Sequence, residues 1–189
     1  MDETERLDRL EKLKSTARCG DNPPFAPLDS VEGLLDMIAV AKPRVVLELG
    51  SDRGVSTEAF LLTCERVVAV DPWVDDIGIA HPERYDAFIA RCGSYPHLLV
   101  VRGRSPGDLS LFADEVFDLV YIDAVHTYDG VMADVAASRR LIKPSGWFAG
   151  HDYRPESNSH DIIPAVNELF GADNIQTFAD GSWLVRKSP

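Results

Sequence analysis

Apolar positions fall into two regimes along the chain. Residues 1–14 place Leu7, Leu10 and Leu13 three apart among charged side chains. That spacing predicts a short amphipathic helix, packed on its own domain or serving as a flap or a contact to a second copy. The stretch Cys19-Gly20-Asp21-Asn22-Pro23-Pro24-Phe25-Ala26-Pro27 reads as a loop, because three prolines and a glycine interrupt any period. A second helix is expected from about Ser30, a residue type that caps helix N-termini, with Val31, Leu34, Leu35 and Ile38 on one face. Lys42-Pro43 ends it, since proline disfavours helical geometry in the residue before it.

From Arg44 onward, short runs of Val and Leu alternate with amphipathic segments. Val45–Leu49, Val67–Val70, Leu98–Val101, Phe117–Ile122 and Trp147–Ala149 are five strand candidates of the kind buried on both faces of a parallel sheet. Helical segments are expected near 55–64, 82–92, 107–112 and 128–141, giving βαβ units. The tail departs from this rhythm. A helix over 161–170 carries Ile162, Ile163, Val166 and Leu169. Residues 175–179 and 182–185, joined by Asp180-Gly181, then read as an antiparallel hairpin. Residues 1–29 thus form an N-terminal helix and proline-rich loop, and 30–189 one α/β domain.

The 189 residues suit a single domain with a short appendage. With 45% hydrophobic and 26% charged residues, the chain is neither disordered nor collagenous. Its formal charge is −12, from 19 basic and 31 acidic residues. That balance argues against a nucleic-acid surface or a polybasic membrane contact. Three scattered cysteines, Cys19, Cys64 and Cys92, form neither a disulfide framework nor a zinc motif and fit reduced thiols in the cytoplasm. The N-terminus lacks the pattern of a signal peptide, and no apolar run is long enough to cross a membrane.

The first strand runs into Glu48-Leu49-Gly50-Ser51-Asp52-Arg53-Gly54-Val55-Ser56-Thr57. Glycines between a strand and a helix let the backbone approach a ligand closely. The loop is neither GxGxxG nor a P-loop. Its acids, Glu48 and Asp52, would repel phosphate and favour a ligand bearing an amine or sulfonium cation. Asp71 ends the second strand, 23 residues after Glu48. An acid there accepts hydrogen bonds from ribose hydroxyls, so loop and acid together select a nucleoside.

These motifs and their order resemble a class I S-adenosylmethionine-dependent methyltransferase over roughly residues 30 to 187. Glu48-Leu49-Gly50 through Gly54 matches the family's acid-x-Gly loop, Asp71 its ribose acid, and the terminal hairpin its antiparallel strand seven. The resemblance implies an α/β, Rossmann-like fold with a seven-stranded, mostly parallel sheet. It implies S-adenosylmethionine held by the loop residues Glu48, Gly50, Ser51, Asp52, Gly54, Val55 and Ser56, by Asp71 at the ribose, and by Asp123. Pro72 and Trp73 should lie beside the adenine, with packing in the core the alternative for Trp73, and Arg104 and Ser105 at the adenine's far edge.

The fourth and fifth strands end in Asp123-Ala124-Val125-His126 and His151-Asp152, which a parallel sheet brings to one edge. This resembles metal-dependent O-methyltransferases acting on macrolide sugars, and cephalosporin-methoxylation proteins, which carry Asp-x-x-His after strand four and two acids after strand five. Histidine stands here in place of the first acid. The resemblance implies Asp123 and His126 as catalytic residues, His126 being the base, and Asp123, His151 and Asp152 around a divalent ion, magnesium by its oxygen ligands. A bland reading makes Asp123 a helix cap and His151 a satisfied core side chain. His81, His97 and His160 show no partner pattern and are expected at the surface.

The expected reaction is O-methylation of a small molecule or sugar, with a catechol-type acceptor or a non-catalytic nucleoside-binding module as alternatives. A nicotinamide-dependent oxidoreductase is disfavoured by the missing GxGxxG. Segments 73–86 and 153–161 and the N-terminal helix are the candidate walls of the acceptor pocket. A lid lent by a partner chain would make the protein a homo-oligomer.

Overall fold

The computed structural model describes residues 1–16, 31–74, 78–155 and 161–188. Five Val- and Leu-rich segments form parallel strands: β1 (Val45–Leu49), β2 (Arg66–Val70), β3 (Leu98–Val101), β4 (Phe117–Ile122) and β5 (Ile142–Gly150). β6 (Gln176–Thr177) and β7 (Trp183–Arg186) add antiparallel to them. The order across the sheet is β3-β2-β1-β4-β5-β7-β6. β1 therefore pairs with β2 on one side and with β4 on the other, Glu48 opposite both Ala69 and Tyr121. The chain reverses its direction of travel across the sheet at this point, and the crevice it leaves at the carboxyl ends of the strands is the ligand position of open α/β sheets.

The pleat sorts side chains onto two faces. Val46, Val67, Ala69, Leu119 and Tyr121 face α2 (Glu32–Ala41), α3 (Val55–Thr63) and Phe88 of α4 (Pro82–Cys92). Leu47, Leu49, Val68, Val70, Val120 and Ile122 face α5 (Tyr128–Ser138) and α6 (Ile162–Phe170). Burial on both sides is why these strands read as continuous apolar runs.

Several boundaries differ from expectation. Residues 107–111 form a single 3-10 turn rather than a helix, and the long helix expected to 141 stops at Ser138 and tightens into a second 3-10 turn. β5 begins five residues early, at Ile142, because its pairing with β4 resumes at Trp147 after a shift in register. The hairpin spans fewer paired residues than its alternation suggested, with Phe178 and Ser182 closing a turn around Asp180-Gly181.

The N-terminal helix α1 (Glu3–Thr16) packs on its own domain. Leu13 is buried, the Arg6 guanidinium donates to the Leu62 carbonyl at 3.0 Å, and Arg9 donates to the Tyr95 hydroxyl at 2.9 Å. The expected cap Ser30, the proline-rich loop and Cys19 lie outside the described residues, as does His160. His97 is half-buried rather than at the surface, its Nε2 2.9 Å from the Leu61 carbonyl. No helix among the described residues is long and apolar enough to cross a membrane.

Candidate active site

The loop after β1 is built around two left-handed glycines. Gly50 has φ +85°, and a Cβ there would fall 2.1 Å from the Asp123 carbonyl oxygen, so only glycine lets β1 and β4 end side by side. Gly54, at φ +79°, precedes the first turn of α3.

Glu48 supports this loop from below. The β1 pleat turns its carboxylate toward α3, where it is fully buried. Ser51 Oγ donates to it at 2.8 Å, Ser56 Oγ at 2.6 Å, and Thr57 Oγ1 makes a third, short bond. Burial pushes the Glu48 pKa up to about 7, while the three hydroxyls pull it back. Glu48 is thus placed to shape the loop rather than to present an oxygen at its surface. The serines and threonine at three, eight and nine residues beyond it are the signal, visible in the sequence once Glu48 is assigned to the helix-facing side of the strand.

Asp71 also engages the loop. Its Oδ2 accepts the backbone N–H groups of Ser51 at 2.8 Å and Asp52 at 3.0 Å, and its Oδ1 accepts that of Trp73 at 2.6 Å. A carboxylate offers about four acceptor positions, so capacity remains for a ribose hydroxyl. Val55 and Ser56 lie half-buried in the first turn of α3, and Pro72 is half-buried beside Asp71. Trp73 is only 3% exposed. Its ring packs against Tyr85 and Phe88, with centroids at 4.8 and 4.9 Å, so the packing alternative describes it. Beyond β3, Arg104 is exposed and its N–H donates to Asp108 Oδ2 at 2.7 Å. The Ser105 hydroxyl bonds the carboxyl of Asp134, a buried acid on α5 pushed up by that burial to about 6. Sequence reading missed Asp134, although it interrupts the apolar face that carries Val131 and Val135.

At the next strand tips the structure brings Asp123, His126 and Asp152 together, with one ligand-capable atom of each within 4.8 Å of the others. His126 Nε2 lies 3.2 Å from Asp123 Oδ1 and 2.8 Å from Asp152 Oδ2. β4 ends at Ile122, the Asp123 N–H continues the ladder to Leu49, and Thr127 caps α5 through the Gly130 N–H at 3.2 Å. That tight strand-to-helix connection fixes the reach of His126. Asp152 occupies the left-handed region at φ +62°, a costly conformation for a non-glycine residue that turns up at functional sites.

Charge pairing governs these groups. Hydrogen bonds to Asp123 and then Asp152 raise His126 to about 10, against the opposing effect of burial. Burial works to raise Asp152, yet the two histidines hold it well below the usual carboxylate range. His151, expected among the ion's ligands, sits behind this group: its Nδ1 is 3.6 Å from Asp152 Oδ1. Burial pulls His151 down, and Asp152, Asp123 and Asp180 together outweigh it, to about 9. Its Nε2 and the indole N–H of Trp183 are buried without a protein partner among the described residues. Both residues line a narrow cleft with Ile122, Val131 and Ile162, at the mouth of which stand Asp123 and His126. Two carboxylates and an imidazole suit a divalent cation: the oxygens favour magnesium, and the nitrogen favours manganese, iron or zinc.

The family model of a methyltransferase domain matches residues 47–153, more than half of the chain. Among solved structures, the chain is similar to the O-methyltransferase from Bacillus cereus in complex with S-adenosylhomocysteine, at 18% identity over 99% of this chain and 92% of that one, TM-score 0.61. It is also similar to the O-methyltransferase TomG from Streptomyces achromogenes, involved in tomaymycin synthesis and complexed with S-adenosylmethionine, at 17% identity over 100% of both chains, TM-score 0.60. A third is a methyltransferase from Podospora anserina bound to S-adenosylhomocysteine, at 16% identity over 100% of this chain and 98% of that one, TM-score 0.62. At these identities the likeness is one of fold: the seven-stranded sheet with its antiparallel end is the class I methyltransferase architecture. No curated protein matches the sequence at a significant level.

Proposed function

The chain belongs to the methyltransferase-domain family, and on that premise we propose that it transfers a methyl group from S-adenosylmethionine to a hydroxyl oxygen of a small molecule or sugar, with a divalent ion assisting. The observation that carries this reading is the convergence of Asp123, His126 and Asp152 at the tips of β4 and β5, next to the loop and acid of β1 and β2. We also place its work in the cytoplasm, in keeping with the free thiols of Cys64 and Cys92.

The order of strands sets the order of roles. Asp71, directly after β2, takes a ribose hydroxyl in this reading. The Gly50–Gly54 loop, above β1 and against Asp123, is placed to take the amino-acid end. Asp123, His126 and Asp152, at the tips of β4 and β5, are left for the transfer step. Bound S-adenosylmethionine supplies the methyl group from its sulfonium, whose leaving group is a neutral thioether. Asp123 and Asp152 would hold a divalent ion, which would supply a Lewis acid to lower the pKa of an acceptor hydroxyl. Paired with Asp123 and Asp152, His126 holds its own proton at neutral pH. With those carboxylates neutralised by a divalent ion its pKa would fall. Nε2 would then accept the hydroxyl proton and pass it to solvent, to which its half-exposed ring has access. The chain's contribution is alignment for in-line attack and removal of one proton.

A second reading follows from the tightness of the group, in which His126 Nε2 is itself a ligand. Manganese titration of His126→Gln separates the two. A ligand role predicts a loss of about tenfold or more in manganese affinity. A base role predicts preserved affinity with turnover abolished.

The decisive test of the function is calorimetry with S-adenosylhomocysteine, followed by release of that product from S-adenosylmethionine in the presence of sugar and catechol acceptors. Binding with turnover supports the proposal. Binding without turnover on any acceptor favours a nucleoside-binding module, and no binding overturns the reading.

A further inference from the structure

Asp52, in the middle of the glycine loop, has φ +40°, a left-handed conformation that a non-glycine residue holds only when its surroundings impose it. Three contacts impose it here. Asp71 Oδ2 takes the Asp52 N–H, the Trp73 indole Nε1–H donates to the Asp52 carbonyl at 2.7 Å, and Arg84 reaches the Asp52 carboxylate at 3.0 Å. The last is a surface pair worth little. The first two are backbone contacts from one short segment, Asp71–Trp73, and they grip both polar groups of the same loop residue. Trp73 is itself left-handed at φ +49°, and its ring is locked between Tyr85 and Phe88. Phe88 also lies under Gly54, where an added Cβ would meet its ring at 3.0 Å. One aromatic wedge on α4 therefore sets both the far end of the loop and the residue that pins its middle.

We propose that Trp73 is a positioning residue: through its indole N–H it holds the Asp52–Arg53 peptide in the form that receives the amino-acid end of the nucleoside, and it offers no stacking face to the adenine. This rests on the cofactor reading above and deepens it. The ring is buried and its neighbours occupy it, so its effect on a ligand passes through Asp52. The nucleoside end, taken by Asp71, does not depend on that one hydrogen bond, whereas the amino-acid end does.

Trp73→Phe removes the indole N–H and keeps an aromatic ring between Tyr85 and Phe88. The probes are S-adenosylhomocysteine and methylthioadenosine, which share the nucleoside but differ in the amino-acid arm. The expected result is a loss of about five- to tenfold in affinity for S-adenosylhomocysteine, the scale of one buried hydrogen bond, with methylthioadenosine changed by less than about twofold. Equal losses for both would make Trp73 an adenine contact and overturn the proposal, as would no loss for either. Hydrogen exchange on the unaltered, ligand-free protein gives an independent reading. The indole proton of Trp73 should be protected, and its exchange at the rate of a free indole would overturn the pin even if the variant fails to fold. If the unaltered protein binds neither compound, the cofactor reading fails instead, and the exchange experiment still decides whether the loop is pinned.

Discussion

Asp180, in the turn between β6 and β7, accepts the backbone N–H of Leu34 at 2.7 Å and so caps helix α2 from 146 residues away. Its other oxygen takes the Ser182 N–H at 2.8 Å, and the side chain is 2% exposed. Gly33 lies against it, since a Cβ there would fall 2.2 Å from Asp180 Oδ1. The helix thus borrows its N-terminal acceptor from the last hairpin, and position 33 in its first turn has no room for a side chain. Asp180→Ala should cost about 2–3 kcal/mol in urea unfolding, leaving two buried N–H groups without partners. A change under about 0.5 kcal/mol would show that solvent replaces the cap.

Glu48 makes stability depend on pH in a defined direction. Its folded pKa is about 7 against an ordinary value of 4.5. Between those values the folded chain holds a proton that the unfolded chain has released. Stability from this group therefore falls as pH rises from 4.5 to 7 and is level above 7, with a span of up to about 3 kcal/mol. Subtracting the unfolding curve of Glu48→Gln from that of the unaltered protein should isolate this slope. A flat difference across the window would contradict the burial argument.

Asp134 should behave in the same sense over a narrower range. Burial raises it from 3.8 to about 6, with the Ser105 hydroxyl opposing. Asp134→Asn, measured by chemical unfolding, should gain stability relative to the unaltered protein as pH rises from 4 to 6 and hold that gain at pH 8. A variant equally destabilised at every pH would mean that a group other than the ionised carboxylate sets the cost.

Gly50→Ala tests the close approach of β1 and β4. The added methyl meets the Asp123 backbone and forces a side chain into positive φ, so a loss of about 3 kcal/mol or more is expected. Calorimetry should show S-adenosylhomocysteine binding abolished in whatever folded fraction remains. Ordinary affinity in a stable variant would mean that the strand tips have room that the geometry denies them.

Much of the fold is legible in the order of residues. The five parallel strands announce themselves because strands buried on both faces leave runs such as Val67–Val70 without polar interruption. The reversal into a hairpin is carried by Asp180-Gly181, and the nucleoside reading by the local spacing of Glu48, Gly50, Gly54 and Asp71. Asp123 and His126 are visible as a pair because three residues bring them together across the start of one helix.

What the chain order could not supply is the identity of partners brought from elsewhere. The sequence determined the type of fold and the set of polar residues at the strand tips, since period and spacing are local properties of the chain. The tertiary structure alone decided that His126 rather than His151 joins Asp123 and Asp152, that Trp73 faces the core, and that Asp71 grips the loop as well as the crevice. Each of those outcomes depends on which way a side chain leaves the backbone after a turn, and that direction is fixed by the neighbouring strands and helices packed around it.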